Sequence, residues 1–193
     1  MCSLWRPAAI AAALGVSFAA GCVATGERTP TEVALPIASS LYTVTGRLSA
    51  RHGTEGLSAN FQWRHDRDQD ELELSSPLGQ TVARLTGNAD GVRMIAADGR
   101  VETAGDWQVL TTRGLGWPLP IAGLAYWVQG APREGAPFAV EAGAGGTPAL
   151  LRQDGWTIVY GAFMLDAGGV ARPSRVTLNY ADVEIRLAID AWQ

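Results

Sequence analysis

The most regular spacing of metal-binding side chains in this sequence is a run of alternating acids. Asp66, Asp68 and Asp70 have the spacing of the first ligands of a calcium-binding loop. Such a loop then needs a glycine at its sharp turn and a glutamate at its end. Glu71 stands where the glycine belongs, and Pro77 stands where the glutamate belongs. The pattern therefore predicts no calcium site.

Two histidines and a pair of glutamates are the remaining candidates for acid–base chemistry. We interpret His52 and His65, which sit beside polar turns, as solvated hairpin residues. Glu71 and Glu73 alternate with leucines, as residues on the solvent face of a strand do. The sequence has no Gly-x-Ser-x-Gly elbow, no dinucleotide-binding fingerprint and no lysine for a phosphate-binding loop or a Schiff base. We therefore expect no enzyme, no cofactor and no metal.

The thiol of Cys22 is a different kind of reactive group. An uncharged apolar stretch from Ala8 to Ala20 follows a short basic start, which is typical of a secretion signal. It is shorter than the roughly 20 residues that span a membrane. The run Ala19-Ala20-Gly21-Cys22 resembles the bacterial lipobox, in which the cysteine is acylated and becomes the first residue after cleavage. This interpretation predicts a cleaved signal over residues 1–21, and the alternative is an ordinary secretion signal that ends beside a cysteine.

The residues after Cys22 indicate where the protein resides. An aspartate after the cysteine would favour the inner membrane, but Val23 stands there, so we expect an outer-membrane anchor facing the periplasm. Up to about Ser40 the chain is rich in Thr, Pro, Ala and Ser, so residues 22–40 are predicted to be a lipidated tether. The net charge of −4 without any basic run gives no indication of a nucleic-acid partner.

Strand periodicity dominates the rest of the chain. Leu57, Ala59, Phe61 and Trp63 alternate with polar residues, which is the period of a half-buried strand. Turn signals separate further short apolar runs, which indicates an antiparallel meander. Strands are predicted over residues 43–51, 57–63, 71–74, 82–85, 92–95, near 101, and over 156–163, 176–180 and 183–189, with a loop over 142–148 and a tight hairpin at 181–182.

Two short helices are predicted in the middle of the chain. Apolar residues recur at helical spacing over residues 105–112 and 121–129, and Pro118 and Pro120 forbid one continuous helix between them. Two short helices cannot cover a flat sheet of this size. The sheet must therefore curl to bury its apolar face. We therefore predict a mainly β fold, in which a single strongly curved antiparallel sheet forms a half-open β-barrel with a helical lid over a hydrophobic cavity.

The interior of such a barrel is either filled by side chains or left open for an apolar ligand. Sequence does not separate these two roles for a large apolar residue, although most tryptophans are expected in the core. The candidates for the cavity wall or the lid are Phe61, Trp63, Trp107, Leu110, Trp117, Leu124, Trp127, Trp156 and Tyr160.

One predicted turn has an apolar residue at its tip. Ser76, Pro77 and Gly79 suit the first, second and fourth positions of a type I turn, which leaves Leu78 at a central position. Leu78 either folds back into the core or stays exposed. An exposed leucine on a membrane-tethered protein suggests a membrane contact, so Pro77, Leu78 and Gly79 form a candidate membrane-insertion loop.

Several short motifs occur together in an order that resembles a known family. Each motif is weak alone, but their joint order and spacing are specific and cover nearly all of the chain after the tether. The motifs are Gly46-Arg47-Leu48, Phe61-Gln62-Trp63, Ser76-Pro77-Leu78-Gly79, Leu115-Gly116-Trp117-Pro118-Leu119-Pro120, Tyr126-Trp127-Val128-Gln129-Gly130, Gln153-Asp154-Gly155-Trp156 through Tyr160, and a last strand ending at Trp192. On these residues the chain resembles the LolB family, the outer-membrane lipoprotein receptors of the bacterial lipoprotein-sorting pathway.

The resemblance implies a half-barrel over residues 41–193 whose cavity takes the acyl chains of a lipoprotein from the soluble periplasmic carrier LolA. The lipoprotein is then released among the lipids of the outer membrane. In the family a protruding loop carries an apolar residue that is important for membrane delivery, and Leu78 is the matching residue here. Two other functions stay open, namely a lipid or glycolipid carrier of the same shape and an envelope hydrolase, which the lack of catalytic groups disfavours.

Overall fold

Apolar and polar residues alternate along most of this chain. Because residues two apart lie on the same face of a strand, this alternation favours strands with one buried face. The computed structural model describes residues 33–115 and 118–193, and in them the chain forms eleven strands and two α-helices. The strands are β1 (Leu41–His52), β2 (Glu55–Asp66), β3 (Gln69–Ser75), β4 (Thr81–Asn88), β5 (Gly91–Ala96), β6 (Val101–Ala104), β7 (Phe138–Ala142), β8 (Pro148–Gln153), β9 (Trp156–Leu165), β10 (Ala171–Tyr180) and β11 (Val183–Trp192). The helices are α1 (Trp107–Leu115) and α2 (Ile121–Trp127).

One antiparallel sheet contains all of these strands, in the order β6-β5-β4-β3-β2-β1-β11-β10-β9-β8-β7. Every neighbouring pair is consecutive in sequence except β1 and β11, whose pairing joins a first meander of six strands to a second meander of five. In the described part of the chain, the edge strands β6 and β7 do not pair with each other. The fold is therefore a half-open barrel, with both helices in the connection between the meanders.

The inner face of the sheet carries the apolar core. Val44, Ile158 and Leu178 are fully buried on this face, and α2 contributes the equally buried Trp127. Removing apolar surface from water stabilises a fold by about 25 cal/mol per Å². This inner face is therefore the main source of stability, and it requires the sheet to curl.

Local chemistry fixes the ends of the two helices. The carboxylate of Asp106 accepts a hydrogen bond from the Val109 N–H at 2.8 Å, which caps the start of α1. A turn after α2 ends at Gly130, whose φ of +84° suits a glycine. Within the described ranges, neither helix has the length and apolar character needed to cross a membrane.

A buried glutamine fixes the segment that precedes β1. The side-chain amide of Gln129 donates to the carbonyl of Ser39 at 3.1 Å, and its oxygen accepts from the Ser39 N–H at 2.7 Å. The same oxygen accepts from Arg172 at 3.1 Å, and Arg172 also pairs with Asp166 at 3.2 Å. Residues 33–40 therefore have a fixed course into β1, although they form no helix or strand.

Two strands are present that the sequence does not predict. The loop predicted over residues 142–148 is reduced to a short 3-10 turn, Ala144–Gly146, between β7 and β8. β7 is an edge strand of five residues and is mostly exposed, so its short apolar run is a weak signal, and β8 begins with Pro148, a residue that sheets accept at the first position of a strand. The helices also shift, because α1 runs to Leu115 and α2 ends at Trp127.

Gly46 lies where β1 approaches β11 too closely for a side chain. A Cβ atom at this position would collide with the carbonyl oxygen of Ala188 and would lie 3.0 Å from the Cα of Ile189. At Gly56, on the neighbouring strand, a Cβ atom would lie 3.6 Å from the nearest atom, the carbonyl oxygen of Ala50, which is an ordinary contact. Only the first glycine is therefore required by packing.

We predict that Gly46→Ala lowers the free energy of unfolding by about 2 kcal/mol, because the backbone of β11 must shift. Gly56→Ala is the matched control and should change that free energy by no more than about 0.5 kcal/mol. Urea denaturation followed by tryptophan fluorescence measures both variants. Equal stability of the two variants would contradict the prediction.

Candidate functional site

An apolar cavity of about 120 Å³ lies between the inner face of the sheet and the segment around α2. Its exposed lining is wholly apolar. The hydroxyl of Thr111, a polar residue in the wall, is hydrogen-bonded to the Trp107 carbonyl and the Leu119 N–H, each at 2.8 Å. The wall is formed by Leu48, Ala50, Leu57, Phe61, Trp63, Leu72, Leu74, Val82, Ala83, Leu85, Met94, Thr111, Leu119, Pro120, Ile121, Leu124, Ile185 and Leu187.

Larger depressions of about 640 and 390 Å³ lie over exposed side chains of the sheet. Arg64, Glu71 and Arg93 line the first, and Arg47 and Arg186 line the second. Charged side chains keep their favourable hydration in the first depression, which therefore does not suit an apolar ligand. The second depression has a largely apolar lining, but it is open to solvent and does not enclose a ligand. We therefore assign the candidate site to the smaller, apolar cavity.

The sequence-predicted residues divide between this cavity and the packed core. The cavity wall includes Phe61, Trp63 and Leu124. The packed core away from the cavity includes Leu110, Trp127, Trp156 and Tyr160, and Trp107 packs against that core. Trp117 and Cys22 lie outside the described residues.

A polar cluster occupies one end of the inner face. The carboxylate of Asp70 accepts a hydrogen bond from the Trp63 indole at 2.8 Å and lies 2.8 Å from Nδ1 of His65. The ring of Tyr42 stacks on His65 with 5.1 Å between ring centroids. The interpretation of His65 as a solvated hairpin residue is therefore wrong, because the register puts it on the same face as Trp63, with its side chain only 12% exposed. No group of three His, Cys, Asp or Glu residues in the described ranges is arranged to hold a metal ion.

Two tyrosine hydroxyls hold α2 over the sheet. Tyr42 on β1 donates to the carbonyl of Ala125 at 3.1 Å, and Tyr160 on β9 donates to the carbonyl of Trp127 at 2.9 Å. Burial raises the pKa of Tyr42 and of Tyr160 above the usual value of a tyrosine. Both hydroxyls therefore stay protonated and can donate at any physiological pH. The helix is thus tied to both meanders of the sheet.

The loop between β3 and β4 protrudes from the sheet. The Ser76 carbonyl accepts from the Gly79 N–H at 2.8 Å, and the Ser76 N–H donates to the Gln80 carbonyl at 2.8 Å, which closes the turn. The side chain of Asn60 on β2 donates to the same Ser76 carbonyl at 3.2 Å. Leu78 at the tip is 89% exposed and therefore does not join the core.

Several residues of the wall are not among the sequence candidates. Leu57 belongs to the alternating apolar run of β2, and this alternation predicts that its side chain lies on the inner face. Val82 and Met94 have no such signal. They reach the cavity through the register of β4 and β5, which depends on pairing with distant strands.

Solved structures share the fold at low sequence identity. A DUF1329 family protein from Desulfovibrio piger superposes with a TM-score of 0.56 and 7% identity, over 80% of this chain and 85% of that one. A putative outer membrane lipoprotein-sorting protein domain from Vibrio parahaemolyticus superposes with a TM-score of 0.50 and 11% identity, again over 80% and 85% of the two chains. These likenesses show the fold alone. In this chain the half-open barrel encloses an apolar cavity, which is the type of site that suits an apolar ligand.

Sequence comparison identifies the family. The model of the family described as outer membrane lipoprotein LolB matches residues 40–192. The outer-membrane lipoprotein LolB of Thiobacillus denitrificans is 39% identical over 96% of this chain and 95% of its own length. The LolB protein of an Azoarcus species is 37% identical over 80% of this chain and 79% of its own length. The chain belongs to the LolB family of outer-membrane lipoproteins.

We predict that the double variant Tyr42→Phe, Tyr160→Phe loosens α2, because each substitution removes one buried hydrogen bond between α2 and the sheet and costs about 1 kcal/mol. Amide hydrogen exchange in α2 should become about tenfold faster or more. Tyr126→Phe is the control, since no hydrogen bond joins its hydroxyl to another described residue. Unchanged exchange in the double variant would show that other contacts hold the helix.

Proposed function

We propose that this protein is a receptor at the periplasmic face of the outer membrane, anchored through acylated Cys22 after cleavage of residues 1–21. It takes lipoproteins by their acyl chains from the carrier LolA and inserts them into the outer-membrane lipids. The main support is the wholly apolar cavity under α2, close to a loop whose tip, Leu78, is almost fully exposed. Membership of the LolB family supports the same role.

The energetics of acyl chains require such a cavity. Each methylene moved from an apolar site into water costs about 0.8 kcal/mol, so a long acyl chain leaves a carrier for water very slowly. A direct transfer from one apolar cavity to another avoids this barrier. Because the sequence has no nucleotide-binding motif, the transfer must run downhill in free energy, and a tenfold gain in affinity needs only about 1.4 kcal/mol.

The cavity must enlarge to accept its ligand. A cavity of about 150 Å³ holds a single benzene molecule, whereas this one measures about 120 Å³ and is too small for a long acyl chain. One side of its wall consists of Leu119, Pro120, Ile121 and Leu124, from α2 and the elbow before it. An outward movement of this segment therefore opens the cavity, and α2 acts as its lid.

Transfer of a radiolabelled lipoprotein tests the proposed function. The label is first bound to a LolA-type carrier, then offered to the purified protein, and the loaded protein is finally mixed with liposomes. We expect the label to move in both steps. Uptake of free lipid without any uptake from the loaded carrier would instead favour the lipid or glycolipid carrier.

We predict that Leu78→Glu accepts the lipoprotein normally but releases it into liposomes at least about tenfold more slowly. A carboxylate in place of a leucine raises the free energy of loop insertion by about 3 kcal/mol. Leu165→Glu is the matched control, since Leu165 is 68% exposed but lies in the second meander. Normal incorporation by the Leu78 variant would exclude a membrane role for this loop.

A variant that begins after Cys22 should still deliver its substrate. Anchoring mainly raises the concentration of the receptor at the membrane, so more protein should compensate for its loss. We expect incorporation to recover within about tenfold of the anchored protein when the variant is added in excess. If this variant delivered nothing at any concentration, the anchor would be part of the transfer step itself.

A further inference from the structure

The first meander has a notch in its wall beside the protruding loop. β1 and β2 pair along their whole length, up to the partners His52 and Glu55. The pairing of β2 with β3 stops earlier, at Asn60 and Ser75. In the described part of the chain, residues 55–59 of β2 therefore have no strand beside them on the β3 side, and the loop over residues 76–80 forms the border of this gap.

A β-bulge turns one apolar side chain of β4 towards this notch. Ser75 pairs with Thr81 and Leu74 pairs with Ala83, so Val82 is an extra residue in the ladder. A bulge directs its extra residue to the same side as a neighbour, here the inward-facing Ala83. Accordingly, Val82 lines the cavity although it is 38% exposed.

Apolar residues of the cavity wall therefore lie at the notch, on the side of the loop. Leu57, which is half-buried on the unpaired part of β2, lines the cavity together with Val82. The exposed Leu78 lies four residues before Val82 in the sequence. The hydrogen bond from Asn60 to Ser76 holds the base of the loop at the border of the notch.

The opposite end of the inner face is closed to an acyl chain. There the polar cluster of Trp63, His65 and Asp70 is packed under Tyr42 and satisfies its own hydrogen bonds. Passage of an acyl chain would break these buried contacts without replacing them, which is costly. Among the described residues, the apolar wall of the first meander therefore continues towards the loop and not towards this polar cluster.

We propose that an acyl chain leaves the cavity sideways through this notch, across Leu57 and Val82, into the membrane that Leu78 contacts. This inference rests on the proposed function and specifies its release step. Val82, which the bulge places in the cavity wall beside the notch, lies on the exit path, so its replacement slows release more than loading. Loading takes place under α2, so the entry and exit of the acyl chain use different sides of the cavity.

The test uses the full-length acylated receptor in liposomes and a LolA-type carrier loaded with a lipoprotein whose acyl chain is photoactivatable. Crosslinking at successive times measures how much of the label is attached to the receptor and how much is attached to lipid. For Val82→Asn we expect the appearance of label on lipid to slow five- to tenfold and loading to slow by no more than about twofold, since a polar amide replaces an apolar contact on the path. Val82→Thr keeps the shape of the side chain and should show a smaller delay of about twofold.

Val159→Asn is the matched control, because Val159 is 39% exposed on β9 and does not line the cavity. It should load and release like the parent protein. Parental release by both Val82 variants would overturn the exit route, and so would an equal loss of loading and release, which would make Val82 a part of the wall alone. A parent receptor that never takes label from the carrier would refute the proposed function itself, which is a distinct result.

Discussion

The hydrophobic effect acts on the inner face of this sheet in two opposed ways. Burial of that face stabilises the fold, so the sheet curls and α2 covers it. A ligand site, however, requires part of the same apolar surface to remain free. The two demands are reconciled at α2, which covers the cavity through apolar contacts and is also held to the sheet by the hydroxyls of Tyr42 and Tyr160 and by the hydrogen bond from the Trp127 indole to Gln153. A cover held in this way closes the cavity in the absence of a ligand and can still move.

Polar clusters inside the barrel divide it into a rigid part and an adaptable part. Gln129, Arg172 and Asp166 fix the segment before β1 and the end of α2. Gln153 binds the Trp127 indole at 2.7 Å and so fixes the second meander to the same helix. Among the residues that the structure describes, no such network is present at the wall around Leu57 and Val82, where contacts are apolar and tolerate rearrangement. The protein is thus firm where directional bonds hold it and adaptable where the ligand is proposed to move.

Sequence alone predicts the parts of this fold that have a clear period. The alternating run around Phe61 indicates β2, and the type I turn signature indicates the loop with Leu78. Features that depend on tertiary pairing are not predictable in this way. β7 is a short, exposed edge strand, the His65 side chain is shielded by residues of both neighbouring strands, and Val82 faces the cavity because of a bulge in the ladder. In each case a distant segment, and not the local pattern, determines where the side chain lies.

The pairing of β1 with β11 also affects how the chain folds. Val44 and Trp192, near the two ends of the described chain, are neighbours across this ladder. Contacts between residues so far apart in sequence slow folding, because a long loop must close before they form. The two meanders are joined into one sheet only when β11 pairs with β1, so a nascent chain without its last strand would leave apolar residues of both inner faces exposed to water. A dedicated partner that shields this surface until β11 is complete would therefore raise the yield of folded protein.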